Sequence, residues 1–427
     1  MATIRLATTT IVVSLIVSWR SGHLTRSNST LTERKKASRP VFFEFDDEGA
    51  MVDILTRGVA GLVYNGWVSM KGLVPIGGRG TRMRPVTYSV NKHFIPVANK
   101  MLVEYPIMTL IKAGIKEIGI TYNPGQLEYA KEVLGDGRKW GAKFWYILQP
   151  EPKGLANIVE VAEEFLKGSR FVFHLGDNIF VDGIDDLVES FDNGSMDGMV
   201  TMVEHEENVR MGVPYFDKKG RLLKYVEKPK KPPHKMAVPG LYFLSDSSFG
   251  AFRGRNRLRP SARGEYEIPD LYQWMIDKGL RIEVRKYEGK WLDPGKFGDW
   301  LESNQYLLDR LSERKILGKV DKDSRVEGRV EIGKKSRVIN SVIRGPVRIG
   351  EGVVIKDSFV GPYTSIYHGS KIVGCRVENS VLMEGVELDN MPKVIDNSIL
   401  GNNTVVKSVS QNGALGMFLG EGSRVEW

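Results

Sequence analysis

Residues 71–100 read KGLVPIGGRGTRMRPVTYSVNKHFIPVANK, and the fold follows from how this block is understood. The apolar run 71–76 has the texture of a buried strand. It feeds directly into Gly77-Gly78-Arg79-Gly80-Thr81-Arg82. Without a Cβ, glycine lets backbone N–H groups approach an anion closely. A strand that ends in such a turn is a phosphate cradle. Arg82 and Lys92 add positive charge suited to a polyphosphate. The turn is neither of the two common phosphate signatures. No Gly-Lys-Ser/Thr ending follows it, as a P-loop needs, and Gly78-x-Gly80 continues into Met83 rather than the third glycine of a dinucleotide fingerprint.

Outward from this block, strands and helices alternate. The patterns predict helices at 102–113, 127–134 and 155–166, and strands at 115–122, 144–148 and 170–175. Such alternation predicts an α/β fold, a Rossmann-like domain whose mostly parallel sheet is covered by helices. Ligands bind beyond the carboxyl ends of such strands. The glycine turn, Gln149 and Asp177 all fall there. After about residue 319 the texture changes: Val320, Val326, Ile332 and Val338 recur every six residues, then Ile343, Ile349 and Ile355, then Val360, Ile366 and Ile372. A hexapeptide aliphatic repeat predicts a parallel β-helix, in which each turn buries its row only by stacking on its neighbours. The register weakens near Met391-Pro392 and rejoins at 394–405. The apolar tail 415–427 is expected to cap the solenoid or pack on a partner. The expected domains are therefore 70–311 and 312–427, preceded by an extension, 1–69.

A length of 427 residues suits two or three domains. An apolar content of 41% with 26% charged residues is that of a globular protein. The single cysteine, Cys375, excludes an intrachain disulfide and a cysteine-based zinc site. A net charge of +9 suits an anionic ligand, but there is no long basic run interleaved with aromatics, so nucleic acid is not an expected partner. In the extension, Arg5 precedes an apolar stretch, 6–19, that resembles the hydrophobic region of a signal peptide. At roughly 14 residues it is short for a membrane span. The preferred reading is an extension outside the fold, with a natural start at Met70 and no membrane partner.

With these residues in place, the chain resembles the sugar-1-phosphate nucleotidylyltransferases. GGRGTR-x-x-P, Lys92 and Pro96-Val97-x-Asn99-Lys100 carry the likeness. Gln149-Pro-Glu-Pro-Lys-Gly154 is similar to the base-reading segment of the thymidylyltransferase branch. Leu175-Gly-Asp177-Asn178, Glu227-Lys228-Pro229, Gly264-Glu265-Tyr266-Glu267-Ile268-x-Asp270 and Trp291-Leu-Asp293-x-Gly295 follow in family order. The repeats resemble the long form of that branch, which carries a left-handed β-helix.

The resemblance implies transfer of a nucleotidyl group from dTTP to glucose 1-phosphate. The products would be pyrophosphate and dTDP-glucose for deoxysugar synthesis, and Mg²⁺ the cofactor. Arg82, Lys92 and Lys228 would be catalytic. Gly77, Gly78, Gly80, Thr81, Gln149 and Gly154 would bind the nucleotide, and Gly212, Glu227, Lys228 and Val238 the sugar phosphate. Asp177 and Asp293 would hold the metal. The chemistry agrees: a guanidinium grips phosphate with two parallel bonds, an amide matches the pyrimidine edge, and magnesium needs only one or two carboxylates. A cytoplasmic homo-oligomer assembled through the β-helix is implied as well. UTP is the nearest rival substrate. An acyltransferase activity of the β-helix would need a base, and His368 is the only histidine in the repeats. A non-catalytic scaffold is the rival of a different class. Several departures stand out: Pro75-Ile76 where Leu-Ala is common, His93 where Gln is usual, Pro214 near the sugar-contact Gly212, and Pro269 and Pro294 in place of threonines.

Overall fold

The computed structural model describes residues 2–6, 9–13, 70–78 and 80–408. The chain divides into two compact units, Met1–Trp67 and Val68–Trp427. In the first, strands Ala2–Leu6 and Thr9–Val13 pair antiparallel. The rest of the expected extension, Arg79 and the proposed tail cap all lie outside the described residues. No described helix is long and apolar enough to cross a membrane.

In the second unit Lys71–Pro75 is an interior strand of an eight-stranded sheet. Glu117–Tyr122 and then Lys143–Leu148 run parallel to it on one side, and Phe171–His174 on the other. Leu241–Leu244 is wedged in antiparallel before Gly198–Glu204 restores the direction. Successive strand residues face opposite layers. Accordingly Leu73, Phe171 and Phe173 pack with helices Leu155–Val161 and Ile268–Asp277. Val74 and Val172 instead pack with Glu104–Lys112, Leu127–Leu134 and Asp185–Asn193.

Two expected helices differ in detail. The first begins at Glu104 rather than 102, and the N–H groups of Leu102 and Val103, which no helical turn would use, bond back to the carbonyls of Ile95 and His93. The 155–166 helix splits at Ala162, whose ψ of 2° leaves helical geometry.

From Lys315 onward, short strands stack in parallel as three sheets, matching the expected left-handed parallel β-helix. Partners such as Val330, Val347 and Thr364 fall on successive coils. Through the central coils the equivalent hydrogen bonds link residues 17 apart, so one side of each of these coils is a residue short of a hexapeptide. This explains the five-residue steps from Val338 to Ile343 and from Ile355 to Val360. The expected rejoining after residue 394 is present: Ile399–Leu400 and Val405–Lys407 extend two of the sheets.

A serine ladder climbs one corner. Ser341 N–H bonds the Ser324 hydroxyl, Ser358 N–H that of Ser341, and Cys375 N–H that of Ser358. Cys375 occupies the next position of the ladder, buried, and its Sγ contacts the Val373 carbonyl at 3.0 Å. Cys375→Ser is therefore expected to change stability by no more than about 1 kcal/mol, as read from a urea titration.

The β-helix and the sheet domain share a polar seam. Asn99 donates to the carbonyls of Arg348 (3.0 Å) and Ile366 (2.7 Å). Arg348 donates back to the Ala98 carbonyl (2.6 Å). Ala98 and Asn99 form the tip of the hairpin of Pro96–Val97 and Lys100–Met101, with φ of 45° and 57°.

Candidate active site

The glycine turn, Arg82, Lys92, His93, Asp177 and Gly295 surround a cavity of about 230 Å³ beyond the carboxyl ends of the central strands. Sequence-distant segments are held here by close backbone approach. A Cβ on Gly176 would overlap the Pro75 carbonyl and come within 2.8 Å of His93, so the Leu-Gly-Asp order is imposed by packing. A Cβ on Gly77 would strike Asn123, and Gly78 and Gly80 have φ of 127° and 55°. Thr87 donates from its hydroxyl to the Gly80 carbonyl (2.7 Å). Asn91 donates to the Ile76 carbonyl (2.8 Å) and thereby ties the start of the turn to the segment bearing Lys92.

At the cavity floor, Lys92 Nζ lies 2.8 Å from Asp177 Oδ2 and 3.6 Å from Asp293 Oδ1. Its side chain is 8% exposed. Burial pulls its pKa down, but the two carboxylates outweigh burial and hold it above its ordinary value, so it is an ammonium. Burial would raise Asp177, yet Lys92 and His93 carry it well below the usual carboxylate range. Asp293 is raised instead, by burial and by repulsion from Asp177, against the pull of Lys92 and Arg82. Two carboxylates thus face one fixed ammonium.

Asp177 and Asp293 meet because Ile179–Phe180 and Trp291–Leu292 pair antiparallel, with Leu292 opposite Ile179. Asn178 locks this arrangement. Its Nδ2 donates to Asp177 Oδ1 (2.8 Å), while its Oδ1 accepts from Trp291 Nε1 (2.7 Å) and Gly240 N–H (3.3 Å). Arg82 is exposed and makes no ion pair among the described residues. Its Nη2 reaches across to Gly295, where a Cβ would sit 3.3 Å from it. Arg82 is therefore available to an anion entering the cavity.

His93 departs from the usual glutamine but does an amide's work. Asn91 Oδ1 accepts from both His93 N–H (2.9 Å) and His93 Nδ1 (2.8 Å). Because Asn91 Nδ2 is already donating to Ile76, Nδ1 carries the hydrogen. Burial lowers the ring's pKa to about 4, so the imidazole is neutral at pH 7.

Gln149 is buried, at 4% exposure, just after strand Lys143–Leu148. It donates to Asn157 Oδ1 (3.0 Å) and accepts from Asn123 Nδ2 (3.3 Å). Asn157 in turn donates to Glu160 (2.9 Å). The amide is therefore held in one orientation, with one N–H and one lone pair to spare. Gly154, with φ of 101°, lies against Tyr266, which bonds Lys153 and Ala156 through its backbone. The Gly-Glu-Tyr-Glu motif thus buttresses the Gln149–Gly154 segment.

The expected sugar-phosphate residues form a second group. Strands Gly212–Phe216 and Leu222–Glu227 set Gly212 opposite Glu227, and Val238 bridges to Gly212. Lys228, at φ 48°, places Nζ 3.2 Å from Glu227. Tyr242, hydrogen-bonded to Tyr225, has its pKa raised by burial and by the charges of Glu227 and Asp177. Asn91, Asn123, Asn157 and Tyr242 escaped the sequence reading, and Asn178 stands in its motif without an assigned role. The only sequence signal for them was polarity at a strand end or beside a motif residue.

Among the described residues no three or more metal-ligating side chains gather. The two carboxylates at Lys92 fit a magnesium ion that takes the rest of its shell from phosphate and water. In the β-helix, His368 Nδ1 accepts from Glu351 N–H (2.9 Å) and its ring stacks edge-on against Tyr367, so it is tied into the coil.

The nucleotidyl transferase family profile matches residues 71–310. The glucose-1-phosphate thymidylyltransferase of Streptomyces antibioticus is 38% identical over 84% of this chain and 99% of its own length. The low-salt glycan biosynthesis nucleotidyltransferase Agl11 of Haloferax volcanii is also 38% identical, over 83% of this chain and 97% of its own. A Bacillus anthracis chain described as a glucose-1-phosphate thymidylyltransferase, crystallised with a sucrose, superposes with a TM-score of 0.53 at 31% identity. It covers 58% of this chain and 98% of the other.

Proposed function

The chain belongs to the nucleotidyl transferase family, and on that premise we propose that it joins the nucleotidyl group of dTTP to glucose 1-phosphate, giving dTDP-glucose and pyrophosphate. The observation that carries this reading is Lys92 fixed between Asp177 and Asp293 under the glycine turn. Two anions must meet, and negative charge grows on the departing pyrophosphate. Preorganised cations where that charge develops supply most of the rate.

Arg82 grips the triphosphate from the open side of the cavity. Lys92, already charged and desolvated, faces the leaving phosphates. Asp177 and Asp293 would hold Mg²⁺, which when bound neutralises phosphate charge. Gln149, clamped by Asn123 and Asn157, presents its spare donor and acceptor to the pyrimidine edge. Glu227 binds sugar hydroxyls and Lys228 the sugar phosphate, oriented by the hairpin that carries them. A nucleoside triphosphate substrate supports a cytoplasmic location. The exposed Ile316, Leu317 and Val405 of the β-helix suit contacts between copies in a homo-oligomer.

The test is pyrophosphate release by the full chain with Mg²⁺, glucose 1-phosphate, and dTTP or UTP in parallel arms. Turnover with dTTP exceeding that with UTP is the expected result. Preference for UTP would keep the chemistry and change the base; release with neither nucleotide would overturn the reading.

A further inference from the structure

Each member of the catalytic cluster lies within three residues of a side chain in one apolar core. Met83 follows Arg82, Ile95 lies three positions after Lys92, Ile179 two after Asp177, and Leu292 immediately precedes Asp293. None of these four is more than 6% exposed. The same core contains Trp300, whose helix Phe297–Asp309 begins just past Gly295. It is closed from the other side by Val381 and Met383 of the β-helix, at 0% and 1% exposure.

Polar contacts hold that closure in register. Asn304, fully buried on the Trp300 helix, accepts from Ala98 N–H (2.9 Å) and the Ser365 hydroxyl (2.7 Å) and donates to the Tyr363 carbonyl (3.1 Å). One amide thus joins the hairpin following Lys92, the helix following Asp293 and two residues of the β-helix.

We infer that Val381 and Met383 are positioning residues for nucleotidyl transfer, the β-helix wall completing the floor on which Arg82, Lys92, Asp177 and Asp293 are set. This rests on the transfer reading above. A packed interior has few voids and transmits displacement rather than absorbing it. Emptying part of this floor moves charges whose separation governs the rate, and a misplacement of about 1 Å costs on the order of 100-fold. Ile372 supplies the contrast: it is equally buried, but packs only within the solenoid's own core.

The experiment compares Met383→Ala, Val381→Ala, Met383→Leu and Ile372→Ala in the full chain, with folding checked by circular dichroism. Pyrophosphate release gives kcat and KM, and calorimetry gives the affinity for magnesium pyrophosphate. Met383→Ala is expected to lower kcat by about 10- to 100-fold with KM for glucose 1-phosphate little changed. Met383→Leu should restore kcat, and Ile372→Ala should keep it. Val381→Ala, a smaller deletion, serves if Met383→Ala does not fold. Folded Met383→Ala and Val381→Ala with wild-type kcat, or an equal loss in Ile372→Ala, would overturn the inference. If the wild type releases no pyrophosphate, the transfer reading fails separately. The floor is then judged on magnesium pyrophosphate: weaker binding in Met383→Ala than in Ile372→Ala sustains it, and equal binding sinks it.

Discussion

Asp177→Asn is expected to reduce kcat with dTTP and glucose 1-phosphate by about 10²- to 10³-fold while the fold persists. The substitution preserves shape: the amide oxygen still accepts from Asn178 Nδ2. Its other end becomes a donor pointed at the Lys92 ammonium, where a carboxylate oxygen stood at 2.8 Å. Two effects follow. A proposed metal ligand loses its charge, and burial of Lys92 is opposed only by Asp293, so the Lys92 pKa falls from its raised value.

The sign of the pH dependence follows. Lys92, raised in the folded chain, contributes stability that is complete below its unfolded pKa of about 10.4 and is lost as pH rises through the folded value. Asp177, depressed in the folded chain, contributes stability present above its unfolded pKa of about 3.9 and lost as pH falls through the folded value. The difference between wild type and Asp177→Asn in urea titrations should be widest between about pH 5 and 9. It should shrink as pH falls below about 4. A variant folded as wild type and equally active would remove Asp177 from the mechanism.

Trp300→Ala is expected to cost about 3–5 kcal/mol. Trp300 is wholly buried and is the largest side chain in the core that joins the two domains. Its Nε1 also donates to the Pro96 carbonyl at 2.8 Å. Truncation leaves a cavity and an unpaired carbonyl, the latter worth about 1–3 kcal/mol if no water reaches it. A fall in Tm of roughly 5–10 °C is the corresponding calorimetric result. Trp300→Phe should lose less, since it keeps most of the volume and forfeits the hydrogen bond. An unchanged Tm in Trp300→Ala would mean that the two domains do not depend on this core.

What was legible in the sequence depended on how local its cause is. The strand at Lys71–Pro75, the helix Leu127–Leu134 and the coil repeats are written in the spacing of apolar residues, and all three are present. The antiparallel wedge Leu241–Leu244 is not, because strand direction is set by which neighbour a strand reaches, not by its own residues. The motif residues Arg82, Lys92, Asp177 and Asp293 could be named, and they do converge. What their partners do could not. Asn178 earns its place by bonding Trp291, 113 positions away, and Asn304 by bonding Ala98, 206 away. His93 departs from the motif, yet its ring supplies an N–H donor to the Asn91 amide oxygen, a contact the sequence does not show.

The 17-residue coil constrains how this chain can change length. Each coil feeds three faces in turn, and its partner residues recur 17 apart through the central coils, with steps of 16 and 18 toward the two ends. Duplicating or deleting a whole coil leaves every later residue on its own face, one storey higher or lower. Adding a single side's worth of residues would instead rotate all later coils by one face, keeping their aliphatic rows inward but stacking five-residue sides over six-residue ones. Growth and shrinkage are therefore quantised in whole storeys. They are also confined beyond the ones that touch Ala98, Asn99 and Trp300, since adding a storey beneath those would lift the wall away from the chemistry it supports.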